Sequence, residues 1–184
     1  MPLKKQNRAS WLVIEASSAL VEKHLRTAGL NDNDLIEHYI RAAQEDVEAD
    51  LNYPVIDCEL VEMMPDFGHY NFKNISTFRA LQINYWGVGA SQYAALPTEN
   101  FNRIVMGAQS NLVFVGNLPA LENRPDAVQI KIQTGFATAA DVPSVIKQAV
   151  MMRVGGYYAN REETPIKYQQ ASERLLAKIR DTQA

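Results

Sequence analysis

Cysteine is nearly absent from this chain of 184 residues, and histidine is scarce. Cys58 is alone, so the sequence predicts neither an internal disulfide nor a cysteine metal site, and we expect a half-buried strand residue there. His24, His38 and His69 are not spaced as a ligand pair on one helix. The sequence therefore predicts no metal site.

Long apolar runs are also missing. No segment approaches the roughly 20 apolar residues that a membrane-spanning helix needs. Residues 1–10 are basic and polar, and the apolar run 11–14 is too short for the core of a signal peptide. We expect a mobile basic tail at residues 1–10, synthesis in the cytoplasm and no membrane partner.

An excess of positive charge is lacking as well. The formal net charge is −3, from 18 basic and 21 acidic residues. A protein that wraps or reads nucleic acid usually carries a basic patch, so we expect no recognition of a defined DNA sequence. The 47% of hydrophobic residues is typical of a globular protein of one domain.

Catalytic motifs are absent too. The sequence has no Gly-x-Ser-x-Gly elbow and no phosphate-binding loop. Gly87 and Gly89 form a lone Gly-x-Gly without the helix of a dinucleotide motif, and they indicate a turn. Acidic pairs such as Glu162-Glu163 are typical of solvated helix faces. We expect no cofactor and no enzymatic activity.

The segment 134–163 is the most informative stretch of the chain. It predicts a helix near 142–160, with Asp141 as N-cap and Pro143 in the first turn. The helix has a broad apolar face, and Arg153 lies near the centre of that face. Gly155 and Gly156 fall in its interior, where each costs about 1 kcal/mol relative to Ala. The sequence therefore predicts a packed helix whose backbone either approaches a neighbour or bends.

A second amphipathic helix is predicted at 34–51, with capping residues at 31–34. Its apolar stripe also carries Asp46 and Asp50. Charges of opposite sign on two apolar faces predict that the helices 34–51 and 142–160 pack together. They indicate either an internal ion pair with Arg153 or a shared subunit boundary, because an unpaired buried charge is very costly.

The middle of the chain reads as short strands. They are predicted at 55–64, 78–86, 93–96, 102–106, 112–115 and around 128–132, with a hairpin loop at 109–111. A further helix at 16–27 is expected to be followed by Gly29, and a last helix is expected to begin at Thr164-Pro165. The predicted fold class is α+β, with about four helices, two N-terminal and two C-terminal, framing about six short, mainly antiparallel strands. We expect a single domain over 1–184, with helical halves at about 16–52 and 141–182 and the β block at about 55–136.

Tyrosine, tryptophan and arginine near the ends of the chain are residue types enriched at interface hot spots. The tyrosines fit equally well as a helix end that packs inward. The last helix has an apolar seam that either docks on a partner or folds back onto its own domain. The candidate interface residues are Trp11, Arg153, Tyr157, Tyr158, Arg161, Ile166, Leu175, Leu176, Ile179 and Arg180.

Several short motifs occur in the order and spacing of one family. They are His24-Leu25-Arg26, the acidic run Asn31–Asp34, Leu35-Ile36, Ala42-Ala43 with Val47-Glu48, the Gly135-Phe136 turn, Val142-Pro143, Ile146–Ala149, Tyr157-Tyr158 with Asn160–Glu162, and Leu175-Leu176 with Arg180. In these regions, about 24–55 and 134–180, the chain resembles the head–tail connector (adaptor) proteins of long-tailed double-stranded DNA phages.

The resemblance implies a structural virion protein, made in the host cytoplasm, that forms a twelve-fold ring beneath the portal, extends the DNA exit channel and joins head to tail. Its implied partners are the portal protein, further copies of itself, a downstream stopper or tail-completion protein, and passing genomic DNA without sequence specificity. The segment 157–184 is expected to dock on the portal or the adjacent subunit. A stopper or tail-completion protein, and a small binding module that uses the β block, are the alternatives.

Overall fold

The computed structural model describes residues 4–26, 32–73, 77–106, 109–159 and 166–181. The strands are β1 (Lys4–Gln6), β2 (Cys58–Met64), β3 (Tyr70–Lys73), β4 (Ala80–Tyr85), β5 (Ala94–Ala95), β6 (Phe101–Met106), β7 (Gln109–Phe114) and β8 (Val128–Thr134). The helices are α1 (Ala19–Leu25), α2 (Asn33–Leu51), α3 (Ser144–Ala159) and α4 (Ile166–Asp181), with a short 3-10 turn at Thr98–Asn100. This order confirms the predicted α+β class, in which helices frame a block of strands.

The chain divides into two compact units. A sheet unit contains the chain up to Arg8 and Asp57–Gly135, and a helical unit contains Ala9–Ile56 and Phe136–Gln183. The expectation of a single domain over 1–184 stays a prediction. The boundaries of the units lie close to those predicted for the β block.

The helical unit is built on α2 and α3. The stripe of α2 is buried through Ile36, Ile40, Ala43, Val47 and Leu51. Helix α3 contributes its own fully buried residues and packs against α2, α4 and α1. The predicted packing of these two helices is therefore confirmed.

The paired glycines of α3 mark its closest approaches to two other helices. A Cβ atom at Gly155 would lie 3.0 Å from Nε2 of His24 on α1. A Cβ atom at Gly156 would lie 3.2 Å from Cβ of Tyr168 on α4. The glycines therefore let neighbouring helices approach the backbone of α3, as the sequence predicts.

The sheet unit contains a five-stranded sheet of order β1-β2-β8-β4-β5 and a three-stranded sheet of order β3-β7-β6. The strand pairs in both sheets are antiparallel. Alternate residues of β8, from Val128 to Thr134, are buried, as the alternation in the sequence predicts. Cys58 lies in β2 as expected, although it is fully rather than half buried.

The prediction of a mobile tail is wrong for Lys4–Gln6, which form β1 and pair with β2. A strand of three polar residues has no apolar alternation that would identify it. Lysine is nevertheless typical of edge strands, and β1 is the edge of its sheet. The strand Tyr70–Lys73 is likewise absent from the sequence interpretation, because it is short and follows a Pro-Asp-Phe-Gly break.

The loop predicted at Gln109–Asn111 is also wrong, since these residues begin β7 and Met106 pairs with Gln109. Their polar side chains suggested a turn. In the structure Ser110 is fully buried, and its hydroxyl accepts a hydrogen bond of 3.1 Å from Nε of Arg103. A polar strand residue with a buried partner cannot be distinguished from a turn residue by its identity alone.

Two helix ends also differ from the sequence interpretation. Asp141 does not cap α3, because its carboxylate accepts hydrogen bonds from the N–H and the hydroxyl of Thr138. The carbonyl of Pro143 accepts hydrogen bonds from the N–H groups of Ile146 and Lys147 in the first turn of α3. Helix α1 ends at Leu25 with Arg26 in the left-handed conformation. Gly29, Thr164 and Pro165 lie outside the described residues.

The glycine pair gives a first prediction. Gly156→Ala should lower the free energy of unfolding by about 1–3 kcal/mol, because Cβ of Tyr168 can move only with helix α4. Gly155→Ala should be neutral or slightly stabilising, since the His24 ring can rotate away and Ala favours the helix by about 1 kcal/mol. Urea unfolding of both variants checks this. Equal destabilisation by the two substitutions would contradict it.

Candidate functional site

Arg153 is the most unusual side chain of the helical unit, because it is charged and only 3% exposed. Its guanidinium forms an ion pair with Asp50 on α2 and lies 3.6 Å from the carboxylate of Asp46. Its Nε donates a hydrogen bond of 2.8 Å to Oγ of Ser172 on α4. Arg153 thus links three helices, and the sequence alternatives are resolved in favour of an internal ion pair.

The partners of Arg153 differ in burial. The side chain of Asp50 is 26% exposed, whereas that of Asp46 is 51% exposed. Ser172 is fully buried, and its hydroxyl donates a hydrogen bond of 2.8 Å to the carbonyl of Gln169. A buried ion pair stabilises a fold only when its remaining donors are satisfied. Here the guanidinium is held by a partly buried carboxylate, a second, half-exposed carboxylate and a buried hydroxyl.

Two tyrosines extend the contact between α2 and α3. The hydroxyl of Tyr157 donates to Asp46, and that of Tyr158 donates to Asp32 at 2.7 Å. Burial, followed by the hydrogen bond to Asp46, raises the pKa of Tyr157 to about 12. Later residues of α3 therefore meet earlier residues of α2, and the two helices run antiparallel.

A pocket of about 160 Å³ opens beside this cluster. Its lining includes Asp46, Asp50, Arg153, Tyr157 and Gln169. The charged and phenolic groups in that lining bind one another. Among the described residues, no group of three or more His, Cys, Asp and Glu side chains could hold a metal ion. The arrangement is suited to fixing the helices rather than to chemistry.

Two buried polar residues of α2, which the sequence interpretation missed, hold neighbouring segments. Oε1 of Gln44 accepts a hydrogen bond of 2.6 Å from the N–H of Val13. Oε1 of Glu48 accepts from the N–H groups of Val55 and Ile56 at 2.9 and 3.3 Å. Their position in the sequence could have indicated this role, because residues 44 and 48 are four apart and lie on the apolar stripe of α2.

The structure places the candidate interface residues in different environments. Trp11, Tyr157, Tyr158, Leu175 and Ile179 are partly exposed, whereas Arg153 and Leu176 are buried. The seam of α4 therefore folds back onto its own unit through Leu176. Arg161 and the side chains of Ile166 and Arg180 lie outside the described residues. The interface role of the whole set stays a prediction.

None of the described helices is both long and apolar enough to cross a membrane. No protein-family model and no curated protein matches the chain.

Solved structures do match the chain. A chain in the virion of a native gene transfer agent particle matches with a TM-score of 0.63 and 18% identity, over 95% of both chains. A chain in the neck of an empty particle, computed with C6 symmetry, gives 0.63 and 17% over 95% of both. A chain in the neck of a native particle, computed with C12 symmetry, gives 0.67 and 15%, over 95% of this chain and 94% of that one. At such low identities the likeness establishes a shared fold across nearly the whole chain.

The ion pair leads to a second prediction. Asp50→Asn should lower the free energy of unfolding by about 3 kcal/mol, because it removes the best-buried counter-charge of Arg153. Asp46→Asn is the matched control and should cost less than about 1 kcal/mol, since that carboxylate is half exposed. Urea unfolding at neutral pH measures both. Equal costs would show that Asp50 is not the principal partner.

Tyr157 leads to a prediction about alkaline pH. Its pKa is raised in the folded state, so its contribution to stability is complete below pH 10 and is lost as pH rises toward 12. Tyr157→Phe should therefore lose less stability than the wild type between pH 9 and pH 11. The measurement is the difference between the unfolding free energies of the two proteins at each pH. The contributions of the other tyrosines cancel in this difference, because both proteins contain them. A difference that does not change with pH would contradict the prediction.

Proposed function

We propose that this protein is a structural, non-enzymatic component of the neck of a phage or phage-like particle. The observation that carries the proposal is the fold likeness, over about 95% of both chains, to chains in the neck and virion of gene transfer agent particles. Coverage of this extent leaves little of the chain for an additional module. The protein acts at the head–tail junction of the virion.

We further propose the finer role of an adaptor, which forms a ring beneath the portal, extends the DNA exit channel and joins head to tail. The motifs at 24–55 and 134–180 that resemble phage adaptors support this role. The matched necks were computed with C12 and C6 symmetry, which is compatible with a twelve-fold ring. The proposed partners are the portal protein, further copies of the chain, a downstream stopper or tail-completion protein and the passing DNA.

Charge supports a role as a conduit. A channel lined with lysines would bind the phosphates of passing DNA and retard it. This chain has a net charge of −3, and Lys and Arg do not outnumber Asp and Glu. A mildly acidic ring would let DNA pass without holding it.

Assembly on a portal tests the proposal. Alone and dilute, the protein should be a monomer or weakly associated, because its composition lacks the large apolar excess of an obligate oligomer. Added to purified portal rings, it should form a closed ring with the symmetry of the portal. Mass photometry and electron microscopy measure the two states, and an unrelated ring protein of similar diameter is the control.

The outcomes separate the candidate roles. A stable dimer at nanomolar concentration with no larger species on portal would contradict the adaptor role. Binding only to portals that already carry another adaptor would instead indicate a stopper or tail-completion protein.

A further inference from the structure

Helix α1 is held to the rest of the helical unit by few buried side chains. Of its seven residues only Val21 is buried, whereas α2 and α3 contain seven buried residues each. Leu20 is 63% exposed, and His24 is exposed as well. An isolated helix of this length is not stable in water, so α1 depends on packing. It has little of that packing.

The contact between α1 and α3 is also incomplete. A groove of about 380 Å³ opens between the two helices, and its lining includes Leu20 and His24 of α1 and Met151 and Met152 of α3. Atoms on the two sides of an open gap gain no dispersion energy from each other. The helices approach closely at Gly155, but the neighbour there is the exposed ring of His24, which can rotate away.

Polar contacts fasten the other three helices together. The ion pair of Arg153 with Asp50 joins α3 to α2, and its hydrogen bond to Ser172 joins α3 to α4. Within the part of the chain that the structure describes, no side chain of α1 forms an ion pair or a hydrogen bond with these helices. The N-cap of α1 is itself weak, because the hydroxyl of Ser18 lies 3.4 Å from the N–H of Val21.

The two ends of α1 allow it to leave α3 without disturbing its surroundings. Before the helix, Val13, Ile14 and Ala16 are buried, and Gln44 accepts a hydrogen bond from the N–H of Val13. This segment remains fixed when α1 moves. After the helix, Arg26 has a φ of 57°, a left-handed conformation that costs free energy for a residue with a side chain. Opening of α1 releases that strain.

We infer that α1 is a strap that opens and closes on its own over the face of α3 that carries Met151 and Met152, while α2, α3 and α4 stay packed. Elements with few buried contacts are the ones that open locally in native proteins. Met151 is only 6% exposed and lines the groove beneath the strap, so opening exposes it. The strap therefore controls access to an apolar face of the folded protein. This inference goes beyond the proposed function and does not depend on it.

Hydrogen exchange of the unmodified protein gives the first test. Amides 22–25 of α1 should have protection factors at least about a hundredfold lower than those of Val47 and Val150, in the middle of α2 and α3. Arg26→Gly should raise the protection of α1 alone by about threefold, because Gly adopts the left-handed conformation without the steric cost. Asn52→Gly is the matched control, since Asn52 is the left-handed C-cap of α2, and it should leave the protection of α1 unchanged.

Equal protection of α1, α2 and α3 would overturn the inference. An equal response of all three helices to Arg26→Gly would also overturn it, because both results mean that α1 opens only when the whole unit unfolds.

Thiol labelling at two neighbouring positions of α3 gives the second test. Met151→Cys places a thiol beneath the strap, whereas Val150→Cys places one at a fully buried position that does not line the groove. Labelling of Met151→Cys should be at least about tenfold faster. Adding Val21→Ala removes the buried anchor of α1 and should speed the labelling of Met151→Cys by about a further tenfold, with that of Val150→Cys unchanged. The native Cys58, fully buried in the sheet unit, reports on the opening of that unit in the same samples.

The results separate local from general opening. Fast labelling of Met151→Cys with slow labelling of Val150→Cys supports the strap. Equal labelling of the two positions, or an equal effect of Val21→Ala on both, would show that the helical unit opens as a whole and would overturn it. Ring formation on portal tests the proposed function separately, and its failure would leave the strap standing.

Discussion

The buried charge of Arg153 is the constraint on which the packing of the helical unit depends. Its guanidinium reaches α2 through Asp50 and α4 through Ser172. A slip of α2 by one helical turn, about 5.4 Å, would separate the ion pair and leave a buried charge without its partner. Apolar contacts alone would tolerate such a slip better, because they are not directional. The ion pair therefore specifies one register of the helices rather than only adding to stability.

The other buried polar groups have a related effect on the chain around the helices. Gln44 holds the backbone at Val13, and Glu48 holds the backbone at Val55 and Ile56. These are segments without regular secondary structure, whose N–H groups would otherwise be buried without acceptors. The same face of α2 thus supplies apolar packing, counter-charge and hydrogen-bond acceptors. This combination explains why the stripe of α2 contains four acidic or amide residues, Gln44, Asp46, Glu48 and Asp50.

Sequence periodicity predicted the elements that are buried over most of their length. Helix α2 and strand β8 have strong patterns because one face of each is covered by protein, whereas α3 is apolar and buried on most of its sides. The positions of Arg153 and Asp50 on apolar faces also predicted an ion pair. The sequence could not distinguish a pair within one subunit from a pair between two subunits, because both place the charges at the same positions. The wrong predictions concern segments whose conformation depends on tertiary contacts. Strand β1 forms by pairing at a sheet edge, and the buried hydroxyl of Ser110 accepts a hydrogen bond from Arg103 across a hairpin. The carboxylate of Asp141 binds Thr138 and does not cap α3. Both hydrogen bonds are local, and the identity of the residue does not determine which of them forms.

The hairpin of β6 and β7 combines a rigid base with an exposed end. At the base, the Arg103 guanidinium lies 3.7 Å from the ring centre of Phe78, and burial lowers its pKa. Phe114 of β7 packs on Phe67 with ring centres 5.0 Å apart. Beyond these contacts, Ile104, Val105 and Met106 have few neighbours to cover them. A strand end held in this way loses little conformational entropy on binding, so more of its apolar burial remains available as affinity. The contacts at the base therefore leave Ile104–Met106 as an exposed apolar strand end, which is the kind of surface that an interaction partner covers.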